Sequence, residues 1–94
     1  MVEQFYVAGG EFTQTDWREL RQKAEVFGPY DDYSAAMIVW RGETARRVDD
    51  AHHRLFVVRE ADWPNFLKSI PHEDSRRQLE EARQQQIKRS RGNA

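Results

Sequence analysis

Asp31-Asp32-Tyr33-Ser34-Ala35-Ala36-Met37-Ile38-Val39-Trp40-Arg41-Gly42-Glu43-Thr44-Ala45-Arg46-Arg47-Val48 is the stretch on which the fold turns. Tyr33, Ala36, Met37, Trp40, Thr44 and Val48 recur at helical spacing, and Asp31 or Asp32 stands where a side chain accepts from the free amides of a first turn. The spacing predicts one main helix of about sixteen residues from Tyr33 to Val48, its stripe turned to a core. Gly42 lies inside it at a cost of about 1 kcal/mol relative to alanine, which offers the helix a place to bend or stop.

Upstream, Gln4-Phe5-Tyr6-Val7-Ala8 is dense in β-formers and meets Gly9-Gly10, which predicts a first strand ended by a turn. Thr15 to Leu20 offers a cap residue with Trp17 and Leu20 at helical spacing, enough for a short turn of helix. Lys23-Ala24-Glu25-Val26-Phe27 alternates apolar and charged side chains before Gly28-Pro29 and predicts a second strand with one wet face. Downstream, Arg54-Leu55-Phe56-Val57-Val58-Arg59 is a short β-branched apolar run between charges and is expected to be the central strand. The fold class that follows is α+β: a small three-stranded, mainly antiparallel sheet packed on one main helix.

Asp62-Trp63-Pro64-Asn65-Phe66-Leu67 has the form of a capped helix start, its apolar side able to cover the other sheet face. From Pro71 a second helical stretch is encouraged, with His72-Glu73-Asp74 at its positive end, Lys88, Arg89 and Arg91 at its negative end, and Glu73 four residues before Arg77. Leu79, Ala82 and Ile87 are the only apolar side chains between Pro71 and Ala94. So thin a stripe predicts little burial within the chain. The expected division is therefore a small α+β domain over 1–70 and a polar helical C-terminal extension over 71–94.

Composition narrows the chemistry. The 94 residues allow a single core, and a net charge of −1 gives no overall field toward nucleic acid or an anionic membrane. The absence of cysteine excludes disulfides, thiolate catalysis and cysteine-ligated metal. No apolar run is long enough for a membrane span and the first residues lack a basic signal region, so a cytoplasmic protein without membrane contact is expected.

Each candidate constellation has a plain structural explanation. Gly9-Gly10 lacks the further glycines of a dinucleotide loop and the Gly-Lys-Ser/Thr ending of a phosphate loop, and is expected to be a turn. His52 and His53 are adjacent and diverge on either a strand or a helix, so they do not share one metal. Asp31-Asp32 and Asp49-Asp50 fall at helix boundaries, where capping explains them. Three tryptophans do not all fit the centre of so small a domain, which puts at least one at an edge suited to an interface. No catalytic residue, cofactor or metal site is assigned.

Phe5-Tyr6-Val7-Ala8-Gly9-Gly10-Glu11-Phe12, then Gly28-Pro29-Tyr30 with Tyr33, Ala36 and Trp40, then Val48-Asp49-Asp50-Ala51-His52, resembles the DUF4170 family of short uncharacterised bacterial proteins over residues 3–60. The resemblance implies no activity, catalytic residue or cofactor, and it does not extend to the tail. The expected function is that of a non-enzymatic accessory or adaptor protein whose C-terminal helix docks on another chain or on a second copy. Trp63, Phe66, Leu79, Arg83 and Ile87 are the expected contact residues. The alternative is a nucleic-acid-associated factor using Lys88, Arg89 and Arg91, although no aromatic side chain is interleaved there to stack bases.

Overall fold

Tyr6, Val7 and Ala8 are all buried, as a strand covered on both faces requires, and they place the first strand at the middle of the sheet. A computed structural model describes residues 3–13, 19–21 and 24–92, with side chains as far as Ser90. Strands β1 (Phe5–Glu11), β2 (Glu25–Tyr30) and β3 (His53–Arg59) form an antiparallel sheet of order β2-β1-β3. Helix α1 (Tyr33–Arg46) follows β2, and α2 (Trp63–Lys68) and α3 (Glu73–Gly92) follow β3. The fold class is α+β, as the sequence implies.

Two layers of side chains hold the sheet. Odd positions of β1 and β3, Val7 and Leu55 among them, meet Ala36 of α1, with Val39, Trp40 and Val57 packed around them. Even positions Tyr6, Ala8 and Val58 meet Trp63 of α2 and Leu79 of α3, joined by Phe12, Leu20, Val26 and Ile70. Alternation along the strands thus sends one set of residues to each helical layer. The expected core stripe of α1 is right at Ala36 and Trp40, but Tyr33 is 56% exposed and Val48 is 76% exposed, beyond the helix end. Asp32 is the N-cap and accepts from Ala35 N at 2.7 Å. Gly42 leaves the helix unbroken.

Several boundaries differ from expectation. Gly9 and Gly10 do not turn the chain; β1 runs through them to Glu11. A Cβ on Gly9 would overlap the Arg54 carbonyl, and its φ of +155° is one that other residues rarely adopt, so glycine here admits a close neighbouring strand. Gly28-Pro29 likewise lies within β2 rather than closing it. The run from Leu55 to Val58 is an edge strand, because both other strands pair with β1. The expected helical turn at Thr15 to Leu20, with Trp17, falls largely outside the described residues; Leu20 forms an isolated bridge with Phe12.

The largest correction concerns the C-terminal extension. Helix α3 lies along β2 and over the sheet, with Leu79 completely buried and Ser75 almost so. The sequence undercounts its inner face because that face is not made of large apolar residues alone. Ser75, Leu79, Ala82 and Arg83 share it: Ser75 Oγ accepts from Leu20 N at 2.9 Å, and the Arg83 guanidinium lies 5.2 Å from the centre of the Tyr6 ring and 5.3 Å from that of Trp63. Small side chains bring the helix axis close, and one arginine covers two aromatic faces, so a thin stripe suffices.

Candidate contact surfaces

The residues expected to meet a partner through the C-terminal region are mostly occupied within the chain. Trp63 packs on Tyr6 at a ring separation of 5.6 Å, with its indole donating to Glu80 Oε1 at 3.3 Å. Phe66 lies between Trp63 and Phe56, at 5.4 and 5.6 Å. Arg83 is held by Glu80 at 3.1 Å and Glu60 at 3.4 Å. Charge pairing raises its pKa even though burial acts to lower it. Trp63, Leu79 and Arg83 are therefore corrected from partner contacts to parts of the chain's own core, because the sheet face beneath them needs cover. Ile87 stays half-exposed beside a depression of about 300 Å³ lined by Gln4, Tyr6, Pro29, Glu60 and Ser90.

Lys88 and Arg89 are exposed near the end of α3, while the side chain of Arg91 lies outside the described residues. Along the same helix, Arg77 pairs with Asp74 and, at 3.9 Å, with Glu81 rather than with Glu73. No helix among the described residues is long and apolar enough to cross a membrane.

His52 and His53 lie at one end of the sheet in two separate groups with nearby acids, while His72 pairs with Glu19 at 3.2 Å. His53 of β3 reaches across the central strand to Glu25 of β2, Nε2 to Oε2, at 2.9 Å. Arg47 closes the group at 3.5 Å from Glu25. In the second group Arg21 joins Glu11 at 3.0 Å to His52 Nδ1 at 2.9 Å, and Asp50 accepts from His52 N at 3.0 Å. That backbone hydrogen bond holds the Asp50 carboxyl below its ordinary range, assisted by Glu11 and the two imidazoles. The two histidines point to different partners, as their adjacency predicts. Among the described residues no three His, Asp or Glu side chains are arranged to hold a metal.

A surface that the sequence did not single out lies on the outer side of α1. No charged residue occurs from Tyr33 to Trp40, although the inner half of that helix alone suffices to cover the sheet. Ile38 is left 70% exposed, and with Tyr33, Ser34, Met37 and Arg41 it lines a shallow depression of about 330 Å³. Arg41 is exposed and makes no ion pair among the described residues. Farther along the same side, Gly42 and Ala45 are exposed, and a Cβ on Gly42 would meet nothing. The available signal was an apolar run wider than a half-buried helix needs.

All of α1 and the sheet falls inside the segment that known proteins share. The family model described as "Domain of unknown function (DUF4170)" matches residues 3–60. No curated protein and no solved structure matches the chain.

Proposed function

The chain belongs to the DUF4170 family, and we propose that it is a non-enzymatic, cytoplasmic accessory protein that acts by docking the outer side of α1 against an amphipathic helix of another protein. The observation that carries this is Ile38, a large apolar side chain 70% exposed in the middle of a helix whose opposite side is already packed. Ser34, Gly42 and Ala45 lie along the same side and let a second helix approach closely. Arg41, without an ion pair among the described residues, asks for an acidic residue beside the partner's apolar stripe. Fully burying a side chain such as Ile38 contributes about 1.5–3 kcal/mol.

The test is sedimentation of the full chain in extracts of its own cells, comparing wild type, Ile38→Glu, Arg41→Glu and the α3 surface variant Gln85→Glu. The expected outcome is a complex heavier than the purified chain that both α1 variants dissolve and Gln85→Glu leaves intact. A heavy complex that survives Ile38→Glu, or no heavy complex with wild type, refutes the proposal. Lys88 and Arg89, exposed near the end of α3, support the alternative of nucleic-acid contact. Retention of the purified chain on RNA or DNA, falling steeply with salt and abolished by Lys88→Gln with Arg89→Gln, would favour that alternative.

A further inference from the structure

The end of α1 and the start of β3 enclose a cavity of about 210 Å³. Its wall includes Thr44 from the helix, Arg47, Val48 and Ala51 from the connection that follows, and His53 and Leu55 from the strand. Pockets for drug-sized ligands run to roughly 300–1,000 Å³, so this one suits a smaller molecule. Val48, left 76% exposed past the helix end, is part of that wall.

Two polar side chains of the wall lack the partners their chemistry calls for. Thr44 Oγ1 is buried and has no hydrogen-bond partner among the described residues. Buried hydroxyls are rarely left unbonded, so this one asks for a partner the chain does not supply. A turn about χ1, between the two rotamers that threonine adopts in helices, exchanges its methyl and its hydroxyl. Among the described residues the Arg47 side chain makes no hydrogen bond, and its one ion pair is with Glu25 at 3.5 Å. The nearer partner of Glu25 is the almost wholly buried His53, at 2.9 Å, so Arg47 can turn away without stranding a carboxylate. Arg54 belongs to the same wall but lies over the Phe56 ring, 5.5 Å from its centre.

We propose that this cavity binds the carboxylate of a small apolar monocarboxylic acid, with the Arg47 guanidinium on its oxygens and the Thr44 hydroxyl donating beside it. A guanidinium fork matches the two oxygens of a carboxylate in one plane. Val48, Ala51 and Leu55 give a short aliphatic chain an apolar wall. Asp50 in the wall, and Glu25 bonded to His53, repel a second negative charge, which favours a monoanion over sulfate or phosphate. A simple branched acid and a free amino acid of the same shape carry the same carboxylate, and titration separates them. The cavity lies at the junction of α1 with β3, apart from Ile38, so the ligand site stands or falls independently of helix docking.

Isovalerate, its neutral amide, valine and sulfate are titrated into the purified full-length chain and followed by amide NMR and calorimetry. The expected result is saturable binding of isovalerate, with the largest shifts between Thr44 and Leu55, and binding of the amide and of sulfate weaker by about tenfold or more. Valine binding tighter than isovalerate assigns the carboxylate to an amino acid; equal or weaker binding assigns it to a simple acid. Arg47→Gln and Thr44→Val should each weaken isovalerate by about tenfold, and Ile38→Glu should leave it unchanged. Thr44→Val should also hold or raise the midpoint of thermal unfolding, because it deletes an unbonded buried hydroxyl, so its lost binding is not lost folding. No saturation with isovalerate, equal binding of its amide or of sulfate, or binding that survives either variant overturns the proposal.

Discussion

Replacing Leu79 by alanine tests whether the C-terminal helix is an integral layer. Leu79 is fully buried among Tyr6, Ala8, Phe12, Val26 and Trp63. Both residues favour helix, so the substitution leaves local propensity nearly untouched and isolates packing. Removing a leucine side chain from a closed core costs about 2–5 kcal/mol. A chain of this length has a total stability of about 5–14 kcal/mol at 0.05–0.15 kcal/mol per residue, so a large share is at stake. At about 4–8 °C per kcal/mol the midpoint of thermal unfolding should fall by ~10 °C or more. Calorimetry or circular dichroism on Leu79→Ala beside Ile87→Ala, which removes a half-exposed side chain and should cost less than about 1.5 kcal/mol, reads the difference. A loss below about 1 kcal/mol for Leu79→Ala would mean that α3 is not seated on its own sheet, and the expected docking of the tail on another chain would return.

The glycines should respond in opposite directions. Gly9→Ala forces a Cβ onto the Arg54 carbonyl at a positive φ and should destabilise by about 2 kcal/mol or more, whereas Gly42→Ala meets nothing and should stabilise by about 0.5–1 kcal/mol; chemical denaturation with equal signs for the two would contradict these placements. Burial pushes the Tyr6 phenol above its ordinary value of 10.0, with Arg83 opposing and Glu60 assisting. The stability this shift provides is complete below pH 10 and is lost as pH rises through the higher folded value. Tyr6→Phe should therefore show a shallower loss of stability on the alkaline side, and an unchanged alkaline limb would show that Tyr6 is not the group responsible.

Where periodicity matched burial, the fold was legible. Ala36 and Trp40 face the sheet at the predicted spacing, Asp32 caps the helix, and the three strands lie near their expected positions. Strand order was not legible, because an apolar run such as Leu55 to Val58 reads the same at a sheet's edge as at its centre. Glycine was misjudged for a related reason. Glycine tends to end a strand, but at Gly9 the backbone of Arg54 and Leu55 occupies the space a side chain would take. The thin stripe of α3 was underrated since serine, alanine and an arginine over two rings fill a core that a count of large apolar residues does not see. The outer side of α1 is not marked by periodicity, because Ile38 lies between the positions of the helical stripe.

Oxidative footprinting of Tyr33 and Met37, carried out in intact cells and again on the purified chain, addresses the docking of α1 most directly. Strong protection of both side chains in cells, lost with Ile38→Glu, is the predicted result. Equal reactivity inside and outside the cell would leave α1 bare in its working state and contradict the proposed docking.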